Sequence, residues 1–262
     1  GATLCRVDQR GSISGGRPTI ITDRSRARRA RRWWGIATLL LAMGALLAAG
    51  RAAITMVYLS VAYSDQLNPI TRPASYYVYV DGGRGPFETS SILLALGVFA
   101  LLIGMAGAGV RMAGRPTVLF GIWACCMLLA AIFPTDDSPD IETIDGAIHQ
   151  FAGVGILALL SFAGLAAAPR LAESPEWRPG GGIGRLLSIG AAVLATAYVT
   201  TGRRQLDPAL SGGVDIGGIL QRMVFGFDIG VIAALAAHLV RVSWHALRAW
   251  EAPTSLPSPP CP

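Results

Sequence analysis

Residues 149–168 read HQFAGVGILALLSFAGLAAA, twenty positions without an Asp, Glu, Lys or Arg. About 20 mostly apolar residues are what an α-helix needs to cross the hydrocarbon layer of a bilayer. Working outward, the stretch is preceded by an acidic loop and followed by Pro169-Arg170. Five further segments read the same way: roughly 33–60, 90–110, 117–134, 186–201 and 219–241. The fifth in chain order is short and Ala-rich. Gly114-Arg115-Pro116, Pro175 to Gly182 and Asp207-Pro208 to Gly218 punctuate the connections. Hydrocarbon offers no water to the backbone, so each span must satisfy its own hydrogen bonds as a helix. The fold class follows: all-α, a six-span transmembrane helical bundle occupying 33–245.

Composition agrees. Apolar residues make up 52% of the 262, charged residues only 15%, and mean hydropathy is +0.50. Soluble domains carry roughly a quarter charged residues. All 22 basic residues are Arg, which excludes lysine chemistry such as Schiff bases or a phosphate-loop lysine. Residues 1–32 are polar and end in Arg24, Arg26, Arg28, Arg29, Arg31 and Arg32. This tail is expected to be disordered, and residues 246–262 read as a second cytoplasmic tail. It imitates the start of a signal peptide, but the apolar run behind it is too long to be cleaved as one, so it reads as a retained first helix.

Arginine placement sets the expected orientation. With the N-terminus inside, the inner side carries those six Arg with Arg111, Arg115, Arg170, Arg178, Arg185, Arg241 and Arg248. The outer side carries Arg72, Arg84, Arg203, Arg204 and Arg222. Both termini are therefore expected to be cytoplasmic, in the cell's inner or plasma membrane. Cys125 and Cys126 read as buried small apolar residues, and with Cys5 and Cys261 in the tails no disulfide framework is expected. Gly226, Gly230, Ala234 and His238, like Gly97, Gly104 and Gly107, form small-residue stripes suited to helix packing.

Polar groups collect towards the outer face. The loop Phe133-Pro134-Thr135-Asp136-Asp137-Ser138-Pro139-Asp140-Ile141-Glu142-Thr143-Ile144-Asp145 is rich in carboxylates and has no Arg. Asp145 and His149 stand at i and i+4, so one helix face presents a carboxylate beside an imidazole. The pair would suit proton exchange or ligand binding, or would simply fix the loop. Gln221 and Asp228 share a stripe of the sixth span, with Arg222 beside them. Asp228 falls inside the membrane, where Arg51 of the first span is its natural partner, and the pair reads either as packing or as a site for binding or proton movement. Tyr76, Tyr77 and Tyr79 suit an interface belt or a short helix on the outer surface.

Several chemistries lack their residues. No GxSxG, HExxH or phosphate-loop pattern occurs, and no CxxCH for covalent haem. The three His fall at opposite ends of their spans, so neither a three-His zinc site nor bis-His haem is expected. The acidic loop lacks the glycine and spacing of an EF-hand. No cofactor, no metal, no catalytic residue and no nucleic-acid partner is expected.

The Ser75-Tyr76-Tyr77 element, Phe133-Pro134-Thr135-Asp136 closing the third span, His149 opening the fourth and Gly218-Ile219-Leu220-Gln221-Arg222 opening the sixth are together distinctive. Over about residues 35–245 the chain resembles the bacterial membrane family known as domain of unknown function 998, common in actinobacteria. The resemblance implies a six-span topology and carries over Ser75, Pro134, Asp136, His149, Gln221 and Arg222 as candidate positions. The family has no settled activity.

The ligand-binding candidates are thus Ser75, Asp136, Asp145, His149, Gln221, Arg222, Asp228 and Arg51. The first functional reading is a membrane protein that binds or moves a small molecule or lipid in the outer half of the bundle. Asp136 and His149 would form one wall, and Arg222 and Asp228 another, with Arg222 gripping an anionic head group. The alternatives are an accessory or assembly subunit acting on an unknown protein partner through its helices, and an intramembrane lipid hydrolase. Membrane lipids are the expected surroundings in every case.

Overall fold

The structure, a computed structural model, describes residues 20–110, 112–138, 140–206 and 215–251. Cys5, Arg111, Pro139, the Asp207-Pro208 turn and Cys261 lie outside the described residues. The chain forms α1 (Ile20–Ala62), a 3-10 helix (Ala74–Tyr79), α2 (Arg84–Gly107), α3 (Arg115–Ile132), α4 (Ile144–Ala172), α5 (Arg178–Leu206) and α6 (Gly217–Glu251). Each of the six α-helices is long and apolar enough to cross a membrane.

The helices overrun the apolar segments that announce them. The first starts at Ile20, so residues 20–32 are helical where an unstructured tail was expected, and α6 continues to Glu251. Hydropathy sees only the part of a helix immersed in hydrocarbon, whereas capping groups extend it beyond. At α4 the Thr143 side chain accepts from the Gly146 N–H, so the helix starts at Ile144 rather than at His149. At α3 Gly114, with φ 96°, turns the chain and Pro116 follows within the first turn. Phe133 is extended ahead of Pro134 and ends that helix.

The helices close a ring in chain order, each packed on the next and α6 returning to α1; α6 also reaches across to α2 and α4. The end of the bundle opposite the described chain ends carries the 63–83 and 133–143 connections and is called the distal end below. Trp123, Phe120, Leu101, Met105, Leu160, Ile232 and Leu235 fill the interior. Where helices touch closely, small residues permit it: a Cβ on Gly97 would lie 2.7 Å from the Ala48 Cβ, which brings α1 against α2. The stripe expected in α6 is looser, since a Cβ on Gly226 would meet nothing within 4 Å. Cys125 is exposed rather than buried, on the outward side of α3. Ile183, Leu186, Ile189 and Val193 of α5 also face outward, as lipid contact requires.

Candidate functional site

The 63–83 connection is fastened down by the first turns of α6. Gln221 Oε1 accepts from the Ala74 N–H at 2.8 Å, and the Ile219 N–H donates to the Ile70 carbonyl at 2.9 Å. Arg222 donates from Nε to Ser60 Oγ (3.1 Å) and from Nη1 to the carbonyls of Pro69 (2.8 Å), Arg72 (2.7 Å) and Gly218 (3.1 Å). Its Nη2 donates to Tyr77 Oη at 3.1 Å, and the guanidinium lies 5.4 Å from the Tyr77 ring centre. Tyr77 is wholly buried, so this cation is a fastener for the loop. The approach is close enough that a Cβ on Gly218 would fall 2.4 Å from the Arg72 carbonyl oxygen. Where the sequence suggested a grip on a head group, Arg222 turns its N–H groups to three carbonyls and to the Ser60 and Tyr77 hydroxyls.

A second fastening ties the 133–143 loop to α4. Asp136 Oδ1 accepts from Thr143 Oγ1 at 2.6 Å, and Oδ2 accepts from the N–H groups of Glu142 (3.0 Å) and Thr143 (3.3 Å). A Cβ on Gly146 would lie 1.8 Å from Asp136 Oδ2, so only glycine lets the carboxylate sit against the start of the helix. The Thr143 hydroxyl, then the Glu142 N–H, hold the Asp136 carboxyl below the usual carboxylate range. Tyr79 Oη donates to the Thr135 carbonyl and joins the two connections. Burial, with the Asp137 and Asp136 charges behind it, raises that phenol. Asp145 is exposed and makes no ion pair with His149, contrary to the i, i+4 expectation. At the second position of α4 its side chain points outward, whereas His149 points inward.

His149 is only 6% exposed and its Nδ1 lies 2.8 Å from the Phe133 carbonyl. A carbonyl only accepts, so Nδ1 carries hydrogen and Nε2 is the free atom of the ring. The residue stands between two spaces. The larger, about 650 Å³, is a cavity between α4 and α5 at the distal end, and the smaller, about 70 Å³, lies inside the ring. Ser75, His149, Gly153 and Gln221 line both. The larger cavity has polar groups at its distal mouth, including Ser75, Tyr76 and Gln150. Further along the helices its walls are apolar, at Val154, Leu157 and Phe162, of which Val154 and Phe162 also face outward, and Ser161 borders it with its hydroxyl oxygen buried. No Asp, Glu or Arg lines it among the described residues.

Asp228 and Arg51 do not meet. Asp228 is 1% exposed with neither carboxyl oxygen hydrogen-bonded, while Arg51 is exposed on the outward side of α1 beside Leu47 and Leu93. Asp228 lines neither space around His149. Among the described residues no three His, Cys, Asp or Glu side chains gather as a metal site would need. Of the eight candidates, the structure thus brings Ser75, His149 and Gln221 together, puts Arg222 and Asp136 into fastenings, and sets Asp145, Arg51 and Asp228 apart.

The family model described as "Protein of unknown function (DUF998)" matches residues 46–238. The chain belongs to this family. No curated protein and no solved structure matches it. In this DUF998 member the short motifs that carried the resemblance have separable tasks. Gly218, Gln221 and Arg222 hold one connection and Asp136 the other, leaving Ser75 and His149 at the cavity. Sequence reasoning missed Gln150, Ser161, Tyr198 and Thr196, which also line the larger cavity. The lone polar residues inside spans four and five were the available sign.

Proposed function

We propose that this integral membrane protein binds an amphipathic small molecule or lipid in the cavity between α4 and α5. One observation carries the reading: an amphipathic space of about 650 Å³ with polar groups at the mouth and apolar walls below. Ligand pockets fall in the range of roughly 300–1,000 Å³ and combine apolar walls with a few placed polar groups. The uncharged lining favours an uncharged polar head, hydrogen-bonded by Ser75, Gln150 and His149 Nε2, over an anionic one. Arginine placement supports the two cytoplasmic termini, which puts the cavity in the outer half of the membrane. An accessory-subunit role has no observation of its own in its favour, nor has hydrolysis.

Gly153 provides the test. It lines the cavity, and a Cβ there would meet nothing within 4 Å, so a side chain can start from this position and Gly153→Leu directs bulk at the cavity. Native mass spectrometry from mild detergent should show an adduct of defined mass on the wild type that is absent from Gly153→Leu. Bare spectra for both proteins, or an adduct that survives in the variant, would sink the proposal.

A further inference from the structure

Asp228 is the one buried carboxyl among the described residues. Its two oxygens, with the hydroxyls of Ser161 and Ser188, are buried polar atoms without a hydrogen-bond partner. The helix register sets the three within about one turn of the same level, with no hydrogen bond between them. A Cβ on Gly164 would lie 2.0 Å from Ser188 Oγ and 3.6 Å from Val231 Cγ1, so these positions of α4, α5 and α6 share one level. The α4 and α6 helices run in the same direction from the distal end. One turn back on each, on the same faces, stand Ser161 and Asp228. Ser161 also borders the large cavity, its hydroxyl oxygen turned to the buried side, so it stands between Asp228 and that space.

Charges that could balance an ionised carboxylate are elsewhere. Arg222 is six residues nearer the distal end, about 9 Å along α6, and is spent on loop carbonyls. Arg51 of α1 faces outward. His149 of α4 precedes Ser161 by twelve residues, about 18 Å, and is bonded to Phe133. On α5 Arg185, three residues from Ser188, is exposed, and towards the distal end the nearest titratable group is Tyr198; on α6 towards the other end it is His238, bonded to the Glu176 carbonyl. The α2 and α3 helices put no Asp, Glu, Arg or His into the bundle interior, and the half-buried Cys126 of α3 packs against Gly155. An isolated carboxylate in so apolar a setting costs far more than a neutral carboxylic acid.

We infer that Asp228 is an intramembrane proton-binding site that exchanges its proton with the α4–α5 cavity through the Ser161 hydroxyl. In the resting protein the carboxyl is a neutral acid. On release, its proton passes to water in the cavity, and the carboxylate left behind accepts O–H bonds from Ser161 and Ser188. The hydroxyl suits this because it both donates and accepts. The inference stands apart from the ligand proposal, since the group holds its proton whether or not the cavity binds anything.

Infrared spectroscopy of the protein in lipid nanodiscs, with ¹³C-labelled aspartate carboxyls, reads the site in the unmutated chain. At neutral pH surface aspartates are ionised, so a protonated-acid carbonyl band that shifts with the label belongs to a buried aspartate. The expected result is such a band, lost in Asp228→Asn, that shifts when D₂O replaces H₂O and shifts more slowly in Ser161→Ala. A labelled wild type without the band would overturn the site itself. A band that does not respond to D₂O would show a sealed structural acid, and equal exchange in Ser161→Ala would remove the route.

Discussion

Arg222 and Asp228 lie six residues apart on one helix, and the protein treats them in opposite ways. The arginine reaches four acceptors outside α6, the Gly218 carbonyl within it, and a tyrosine face. The aspartate points into the ring and meets none. A fully bonded polar group marks a place where the fold is being held. A buried one without a partner marks a place where the residue is kept for something other than stability. The same division runs through the rest of the molecule: Asp136 is fully engaged with the start of α4, whereas His149 keeps a free ring nitrogen beside two cavities.

The largest effect expected from this contrast is at Arg222. Arg222→Ala strands the Pro69 and Arg72 carbonyls beneath the loop, and losing several charge-assisted bonds at once costs about 3 kcal/mol or more. Equilibrium unfolding in mixed micelles should show that loss, and Arg222→Lys should recover only part of it, because an ammonium lacks the fork. An alanine variant that unfolds like the wild type yet loses the native-spectrum adduct would break the comparison. Arg222 would then be a ligand group after all.

A smaller and pH-dependent effect is expected at Asp136. Its folded carboxyl is held below the ordinary range by Thr143 and Glu142, so its contribution is present above the unfolded carboxylate value. That contribution is lost as pH falls through the depressed folded value. Thermal midpoints of wild type and Asp136→Asn should therefore differ at neutral pH and converge in acid. A constant offset down to the lowest pH would mean that the carboxylate's charge is irrelevant to the fastening.

The six-helix class was legible because each span holds enough apolar residues to read independently of its neighbours. Pairings between spans were not, and Arg51 shows why. In α1 the buried stripe is Ala42, Ala45, Ala49 and Ala52, while Leu40, Leu47, Ile54 and Tyr58 are exposed. Lipid is as apolar as leucine, so inside a membrane small residues face other helices and large ones face outward. Arg51 falls on the large-residue stripe, and opposite charge at a similar depth wrongly suggested Asp228 as its partner. Asp145 failed for a related reason: i, i+4 spacing fixes proximity along a helix but not which residue the loop packing turns inward. The fastening role of Gly218 and Asp136 depends on distances of a few ångströms between segments far apart in the chain, which no local pattern encodes.

The smallest expected effect is also the sharpest. If Asp228 is a neutral acid, Asp228→Asn replaces one uncharged planar group with another of the same shape, and unfolding free energy should move by less than about 1 kcal/mol. If the carboxyl were ionised and matched by a cation, removing its charge would strand that cation at a cost of roughly 3–5 kcal/mol. Equilibrium unfolding of this variant beside Arg222→Ala thus measures the contrast on one helix and one scale. A near-silent Asp228→Asn next to a crippled Arg222→Ala means that Arg222 serves the cohesion of the bundle while Asp228 is held as an uncharged acid, the form from which a proton can be released. Equal damage at both positions would make Asp228 a second fastener, and the division between held and unheld charges would fail.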